Sequence, residues 1–420
     1  MSGPAPRVSV VALTRDRPKA FRNLLEALRL QRMRSFEVIA VGAHERAEDH
    51  GAPPELAARI AYAPCAEENV SLSRNIGLAL AKAPIVAFID DDAAPEPDWL
   101  SELEAAFEAP EVGAVGGFVR GRNGVDFQWR GAVVDRYGAH RPMTTEDLTN
   151  PDLHDPGGER FVSTVGVNGA YRRRALVQIG GFDEHYHYFL DESDVCIRLR
   201  EVGWRVAVAP EAEVHHAYAA SPVRRANRAP RDLYQIAASR AYFAHVHGHP
   251  DWRAAKLEAF AEEQRTRLTK FVGLGRISRR QAAEMAARLD EGLEEGVRRW
   301  RAGRRLFAPH DRAKRIAAAG PFLDGPARRP RVALVVGGLA RGPAARAADR
   351  LVEAGCEVTL IDFMLRARRL RVAFEDGLWR HVGGVLGRDR LDAPVPSPRR
   401  AARAKRELSR IARRRDFDAV

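Results

Sequence analysis

What most constrains this chain is the run of apolar segments in its first third. VSVVAL, FEVIAV and IVAFI are continuously apolar, and the stretches between them, Pro18 to Gln31, Pro54 to Arg59 and SLSRNIGLALA, have helical character. Strands without an alternating polar face are what a parallel sheet needs when helices cover both of its sides. From Val8 to about Gly117 the pattern therefore predicts a doubly wound α/β sheet. Ligands of such sheets bind beyond the carboxyl ends of the strands. Thr14, Arg15 and Asp16 after the first run, and Asp90, Asp91 and Asp92 after IVAFI, are thus predicted to face one crevice.

Further along, Pro97, Asp98 and Trp99 open a helix through Ala106, VGAVGG reads as a strand, and Thr144 to Gly158 reads as a loop. FVSTVGVNGAYRRRALVQIGGF starts as strand and turn and continues as a short helix stopped by Gly180 and Gly181. Asp194 to Val202 reads as a compact helix before the strand RVAVA. Beyond His216, Asp232 to Val246, Trp252 to Phe271 and Ser278 to Ala302 are long, charged and helical in period. A third composition begins at Pro330, where RVALVVGG, a helix from about Pro343 to Ala354 and CEVTLID repeat a βαβ pattern. That unit ends on RRRDFDAV, a helix leading into a strand with no partner elements after it, as in a truncated fusion. Three units are expected: residues 1–220, a helical extension over 221–329, and a partial Rossmann-like segment over 330–420, in line with 420 residues being too many for one ordinary core.

The net charge of +12 sits largely after Arg299, in stretches such as Arg399, Arg400, Arg403, Lys405 and Arg406. Such a tail can attract anionic lipid or a phosphorylated substrate, but an Arg-rich helical face is commonly just solvated, and no nucleic-acid partner is expected. Cys65, Cys196 and Cys356 are too far apart for a zinc motif and odd in number, which points to a reducing compartment. The N-terminus meets charged residues and Pro18 after one short apolar run, unlike a signal peptide. No segment approaches the roughly 20 apolar residues of a membrane span. The expected location is cytoplasmic, with membrane contact, if any, peripheral at the inner face.

Three stretches carry chemistry. In IVAFIDDDAAPEPDWL, three successive carboxylates at the end of a buried strand repel one another unless a cation or donors offset them. Mg²⁺ or Mn²⁺ suits such oxygen ligands, and strand alternation lets Asp90 and Asp92 point one way and Asp91 the other. The alternative is an acidic turn capping the helix at Trp99. In NVSLSRNIGLALA, Ser71 is positioned to cap a helix that presents Arg74 and Asn75, and an Arg there suits a phosphate or a sugar hydroxyl. In the third, FLDESDVCIRLREVGW, Asp191, Glu192 and Asp194 cluster at a helix start; the helix dipole accounts for one acid, and the others leave room for a general base. His215 and His216 end a strand, where an imidazole can complete a metal shell or contact a diphosphate; an ordinary surface pair is the alternative. His245, His247 and His249 fit a helix end better than a metal tract, and Gly337, Gly338 and Gly342 depart from the G-x-G-x-x-G spacing.

VSVVALTRDRP, SLSRNIGLALA, AFIDDDAAPEPDWL, VNGAYRRRAL, GGFDE and FLDESDVCIRLREVGW resemble, in order and spacing, the family 2 glycosyltransferases of GT-A fold over roughly residues 7–218. The resemblance implies a hexosyltransferase-type enzyme of α/β fold, with a mostly parallel sheet flanked by helices. It would move sugar from a nucleotide-diphosphate donor to a glycan or other hydroxyl acceptor, with polysaccharide biosynthesis as a family-level expectation. It implies donor contacts from Thr14, Arg15, Asp16, Arg74, Asn75, Asp90, Asp91, Asn168 and Gly169, and a DXD-type Mn²⁺ or Mg²⁺ site from Asp90 and Asp92 with His215. Asp191 and Glu192 fall at the family's acidic pair, Glu192 at the base position, although the order DE leaves open which acid is the base. Single displacement with inversion follows from the resemblance. VIAVGAHERAED departs from the family's usual base-contacting strand end, so the nucleobase stays open. The segment from Pro330 looks like the opening of a GT-B-type domain.

Two other readings remain. A nucleotidyltransferase would ordinarily carry a Gly- and Lys-rich loop after the first strand, where this chain has ALTRDRP. A non-catalytic carbohydrate-binding or scaffold module of the same fold is disfavoured by the intact carboxylate clusters.

Overall fold

A computed structural model describes residues 5–144, 147, 158–217, 229–307, 322–323, 329–337, 341–363, 371–382, 409, 411–412, 415 and 417–418. Most of the predicted Thr144–Gly158 loop, Gly338, the basic run from Arg399 to Arg406 and most of RRRDFDAV lie outside the described residues.

The chain starts with β1 (Val8–Thr14), helix Pro18–Leu28, β2 (Phe36–Gly42), the short helix Pro54–Ala57, β3 (Ile60–Pro64), helix Val70–Leu80 and β4 (Ile85–Asp90). β3, β2, β1 and β4 are parallel neighbours, and β1 and β2 are buried almost throughout. On one face of the sheet Phe21, Leu24, Leu25 and Leu28 of the first helix pack with Trp99, Leu100 and Leu103. On the other, Ile76 and Leu78 pack with Leu176, Val195 and Leu199. This is the two-sided cover that the continuous apolar runs demand.

The sheet continues through β5 (Ala93–Pro95), helix Trp99–Ala105, β6 (Val112–Arg120), β7 (Phe127–Trp129), β8 (Ala132–Asp135), β9 (His140–Pro142), β10 (Arg160–Ser163), β11 (Gly169–Arg172) and β12 (Arg205–His216). Its order is β3-β2-β1-β4-β11-β6-β12-β5, with β7 beside β6; β11 runs antiparallel between β4 and β6, so the sheet is mixed beyond β4. β8, β9 and β10 form a small second sheet. Helix Arg173–Gln178 ends where Gly180 and Gly181 take φ of 76° and 63°, a backbone that glycine adopts without strain. The next helix begins at Asp191, three residues earlier than its periodicity predicts, and runs to Glu201.

Helices Tyr234–His247, Pro250–Gly273 and Arg279–Arg301 form the predicted extension and share a core of Leu233, Phe260, Leu268, Met285 and Leu289. They buttress the Asp191 helix. His247 and Arg304 reach its Asp194 at 2.8 and 3.1 Å, and Arg299 donates to the His185 carbonyl at 2.7 Å.

The last unit has β13 (Arg331–Gly337), helix Arg341–Glu353, β14 (Glu357–Phe363), β15 (Arg371–Glu375) and β16 (Leu378–Val382), with β13, β14 and β16 parallel. The βαβ start is therefore followed by two further strands that the sequence patterning did not indicate. Val372, Phe374 and Trp379 pack on Ala27, Leu30 and Ala94. Burial against the first unit is what makes this short hairpin strand-forming. Among the described residues no helix is long and apolar enough to cross a membrane.

Candidate active site

β1 and β4 are register partners, so Leu13 lies opposite Asp90 and the strand ends open together. The backbone N–H of Arg15 approaches Asp91 at 3.4 Å, and Thr14 is buried beside the same carboxylate. Asp16 has φ of 51°, tolerable for a short polar side chain, and its carboxylate takes His44 at 2.8 Å on the rim.

Strand alternation separates the three acids. Asp90, Asp92 and His216 each offer one ligand atom, and these atoms lie within 4.8 Å of one another. Asp91 turns to Arg17, whose guanidinium bridges it at 2.6 Å and Asp92 at 3.1 Å. Burial, strengthened by Asp92, pushes Asp90 above the ordinary carboxylate range, and burial against the pull of Arg17 raises Asp91 to about 7. Arg17 therefore offsets only part of the acidic charge. Sequence reasoning passed over this residue, although it stands in the same TRDRP strand end as Thr14.

The imidazole at this site is that of His216, not His215. Successive side chains of β12 face opposite ways, which puts His216 at 3.2 Å from Asp92 and His215 at 2.8 Å from Glu96, against Trp379 of the last unit. Arg415 reaches the same Glu96 at 3.2 Å while stacked on Trp379. His216→Ala is expected to weaken Mn²⁺ binding at least about tenfold, as loss of a ligand or its support typically does, whereas His215→Ala leaves it unchanged. Calorimetric Mn²⁺ titration checks this, and equal losses in the two variants would remove His216 from the site.

Helix Val70–Leu80 is capped by Asn69, whose Oδ1 accepts from Leu72 N–H at 3.0 Å. Ser71, the predicted cap, instead donates to the Tyr186 carbonyl. Arg74 projects into the sheet end and forms a buried ion pair with Asp191, with Glu192 at 3.9 Å. Its guanidinium passes so close under Gly166 that a Cβ there would lie 2.4 Å from it. Phe189 and Leu190, just before the helix, have φ of 73° and 69°. Left-handed backbone costs a non-glycine residue roughly 1–3 kcal/mol and persists only where surroundings enforce it. The turn aims the two acids differently: the Asp191 side chain is 3% exposed and that of Glu192 16%. Asp194 is fully enclosed by Arg198, His247 and Arg304, which hold its carboxylate well below the usual range despite burial.

His140, absent from the sequence reading, stands near Glu192 and shares a 2.9 Å hydrogen bond with Ser193; burial lowers its pKa, so it stays neutral at physiological pH. Trp129 and Phe189 flank its ring, and among the described residues the buried Trp129 indole N–H has no acceptor. An isolated His before a proline strand end gives no sequence signal for this role.

Several predicted donor contacts lie in the walls instead of the crevice. Asn75 is consumed by both main-chain groups of Phe182 and by Glu184. Asn168 accepts from the Trp99 indole and donates to the Phe118 and Ala212 carbonyls, and Gly169 is buried within β11. The Arg15 guanidinium is held by the carbonyls of Cys65, Ala66 and Glu67. For Arg15, Asn75 and Asn168, main-chain groups that need partners of their own take up the side chain.

The sequence profile described as Glycosyltransferase like family 2 matches residues 6–235, more than half of the chain. The chain belongs to this glycosyltransferase family, and it is a glycosyltransferase of GT-A-like fold. It is 30% identical over 234 residues to a glucosyl-dolichyl phosphate glucuronosyltransferase of Haloferax volcanii, covering 50% of this chain and 69% of that one. It is also 30% identical over 229 residues to a pre-mycofactocin glycosyltransferase of Mycobacterium tuberculosis, covering 51% of this chain and only 44% of the relative's length. Among solved structures, a mannosyltransferase of Pyrobaculum calidifontis, described in complex with GDP-Man and Mn²⁺, aligns with TM-score 0.41 and 17% identity over 70% of this chain and 88% of that one.

Proposed function

We propose that this glycosyltransferase takes its sugar from a nucleotide-diphosphate donor and passes it, with inversion, to a hydroxyl acceptor, with Glu192 as the general base. The observation that carries the reading is the division of labour within the acidic pair: Arg74 neutralises and buries Asp191, while Glu192 remains partly open beside neutral His140. A base must reach its proton, and only the second carboxylate offers open oxygen.

The donor lies in the crevice between the ends of β1 and β4, its diphosphate toward Asp90, Asp92 and His216. Those three residues suit a divalent cation: they combine two crowded carboxylates, one with a raised pKa, with an imidazole nitrogen. Imidazole favours Mn²⁺ over the harder Mg²⁺. Such an ion, when bound, supplies charge that neutralises the departing diphosphate. Arg17 adds a fixed positive charge at the same carboxylates. Glu192 accepts the acceptor hydroxyl proton as that oxygen bonds to the anomeric carbon; the bond from that carbon to the phosphate oxygen breaks on the opposite face, and its electron pair leaves with the diphosphate. Trp129 and Phe189, either side of the His140 ring, form the apolar wall against which the acceptor is placed.

A thermal-shift screen of UDP-, GDP-, dTDP- and CMP-sugars, with and without Mn²⁺, tests the donor reading. A ligand selective for the folded state at 100 times its Kd adds about 2.7 kcal/mol of stability. A Mn²⁺-dependent rise with one nucleotide is expected; no rise with any would overturn the donor and metal assignments together.

A further inference from the structure

The last unit grips two segments of the first, and both border His216. One is the end of β5. There the buried Arg415 side chain donates to Glu96 at 3.2 Å and to Thr359 of β14 at 3.0 Å, with its guanidinium 4.1 Å from the Trp379 ring centre. β5 pairs with the end of β12, with Ala93 opposite His216. The other segment is the turn between β6 and β7. The Val372 N–H of β15 donates to the Asn123 carbonyl at 2.8 Å. Gly124, with φ of 66°, comes so close that a Cβ there would run into the Val372 carbonyl. Val125 packs on the apolar cluster that includes Val372, Phe374 and Trp379.

That turn feeds β7, whose own hold on the main sheet is slight. β7 runs only from Phe127 to Trp129, and its pairing with β6 slips: Phe127 stands opposite Arg120 and Trp129 opposite Val119, so Gln128 is the extra residue of a bulge. A bulge leaves its extra residue outside the ladder and redirects its side chain. Here the side chain turns to β12. Gln128 Oε1 accepts from His216 Nδ1 at 2.9 Å, while His216 Nε2 faces Asp92 at 3.2 Å. A ribbon this short is marginal by itself, and the contacts from β15 supply what its ladder lacks.

We propose that the last unit is a positioning element of the transferase: by holding the β6–β7 turn it keeps Gln128 on His216, and Gln128 keeps the imidazole turned toward Asp90 and Asp92. The inference rests on the cation reading of those three residues. A metal-binding imidazole ordinarily has a partner on its second nitrogen that fixes the ring, and losing that partner typically costs about 10–100-fold in metal affinity. Gln128 stands in that place. Arg415 acts one step further out, bringing one of the cations that the buried Glu96 requires and so docking the last unit on the first. The path to His216 runs through the turn and Gln128, not through the neighbouring His215.

The test uses the full chain, with Mn²⁺ alone as the probe. Gln128→Ala is expected to weaken Mn²⁺ binding about tenfold in calorimetry, with the unfolding midpoint unchanged. Arg415→Met and Trp379→Leu, made separately so that one folding failure leaves the other informative, are expected to weaken it by a similar factor. Gln128→Ala added to either is expected to weaken it no further, because both act along one path. Leu289→Ala, in the core of the helical extension, is expected to lower the midpoint and leave Mn²⁺ affinity as it is, which separates the clamp from general destabilisation. Amide exchange in EDTA reads the clamp without the ion: exchange over residues 121–130 is expected to quicken in Arg415→Met and Trp379→Leu but not in Leu289→Ala. Should the unaltered chain take up no Mn²⁺, the cation reading falls and the exchange result alone decides the clamp. Unchanged Mn²⁺ affinity in Gln128→Ala, or unchanged exchange over 121–130 in both last-unit variants, overturns the proposal.

Discussion

Glu192→Gln is expected to lower kcat by about 10²–10⁴, the usual contribution of a positioned general base, while donor binding in the presence of Mn²⁺ stays intact. The substitution keeps the size and hydrogen-bonding reach of the side chain but removes its capacity to take a proton. Because Glu192 is partly open and Arg74 is committed to Asp191, no buried charge is stranded and the fold is expected to hold. Asp92→Ala supplies the contrast: its loss removes a carboxylate shared by Arg17 and His216, so donor and Mn²⁺ binding fail first. Turnover measured as nucleotide release, beside donor binding by thermal shift, separates the two. Unchanged turnover in Glu192→Gln would transfer the base role elsewhere, with Asp191 the next residue to test.

The parts of this site legible in the sequence are those that chain direction alone determines. A continuous apolar run ending in Asp90 to Asp92 states both that a strand is present and which end carries the acids, and parallel pairing with β1 follows from the alternation of strands and helices between them. The acids at 191, 192 and 194 were likewise visible, because a helix start in sequence is a helix start in space. What the sequence withheld was side-chain facing. His215 and His216 are adjacent, and a shift of one residue in strand register exchanges their faces; only pairing with β5 and β6 fixes which meets Asp92. Asn75 and Asn168 have the residue type of a ligand contact, yet each is claimed by main-chain groups from elements 44 or more positions away. Strand β3 was missed because IAYAP is short and ends on a proline, and β15 and β16 because their burial comes from a surface supplied by the first helix.

The ion pair between Arg74 and Asp191 brings together one residue expected to bind donor and another expected to share catalysis, and the proposed mechanism gives both a positioning role. Both side chains are at most 5% exposed, so removing one charge strands the other in a poorly solvated place. Arg74→Met is therefore expected to cost about 3–5 kcal/mol, the range for breaking a buried pair from one side, visible as a lowered unfolding midpoint. Asp191→Leu added to Arg74→Met removes the stranded charge, and stability is expected to return toward that of the unaltered protein, since apolar replacement of a whole buried pair is often neutral or better. Turnover is not expected to return with it. Phe189 and Leu190 hold left-handed backbone immediately before Asp191, and the pair fixes the first residue after that turn. Once the turn relaxes, Glu192 shifts, and a displacement of about 1 Å can cost 10²-fold in rate. A stable double variant with full turnover would show instead that Arg74 and Asp191 merely build the helix start, and that Glu192 is aimed by Ser193, His140 and the helix behind them.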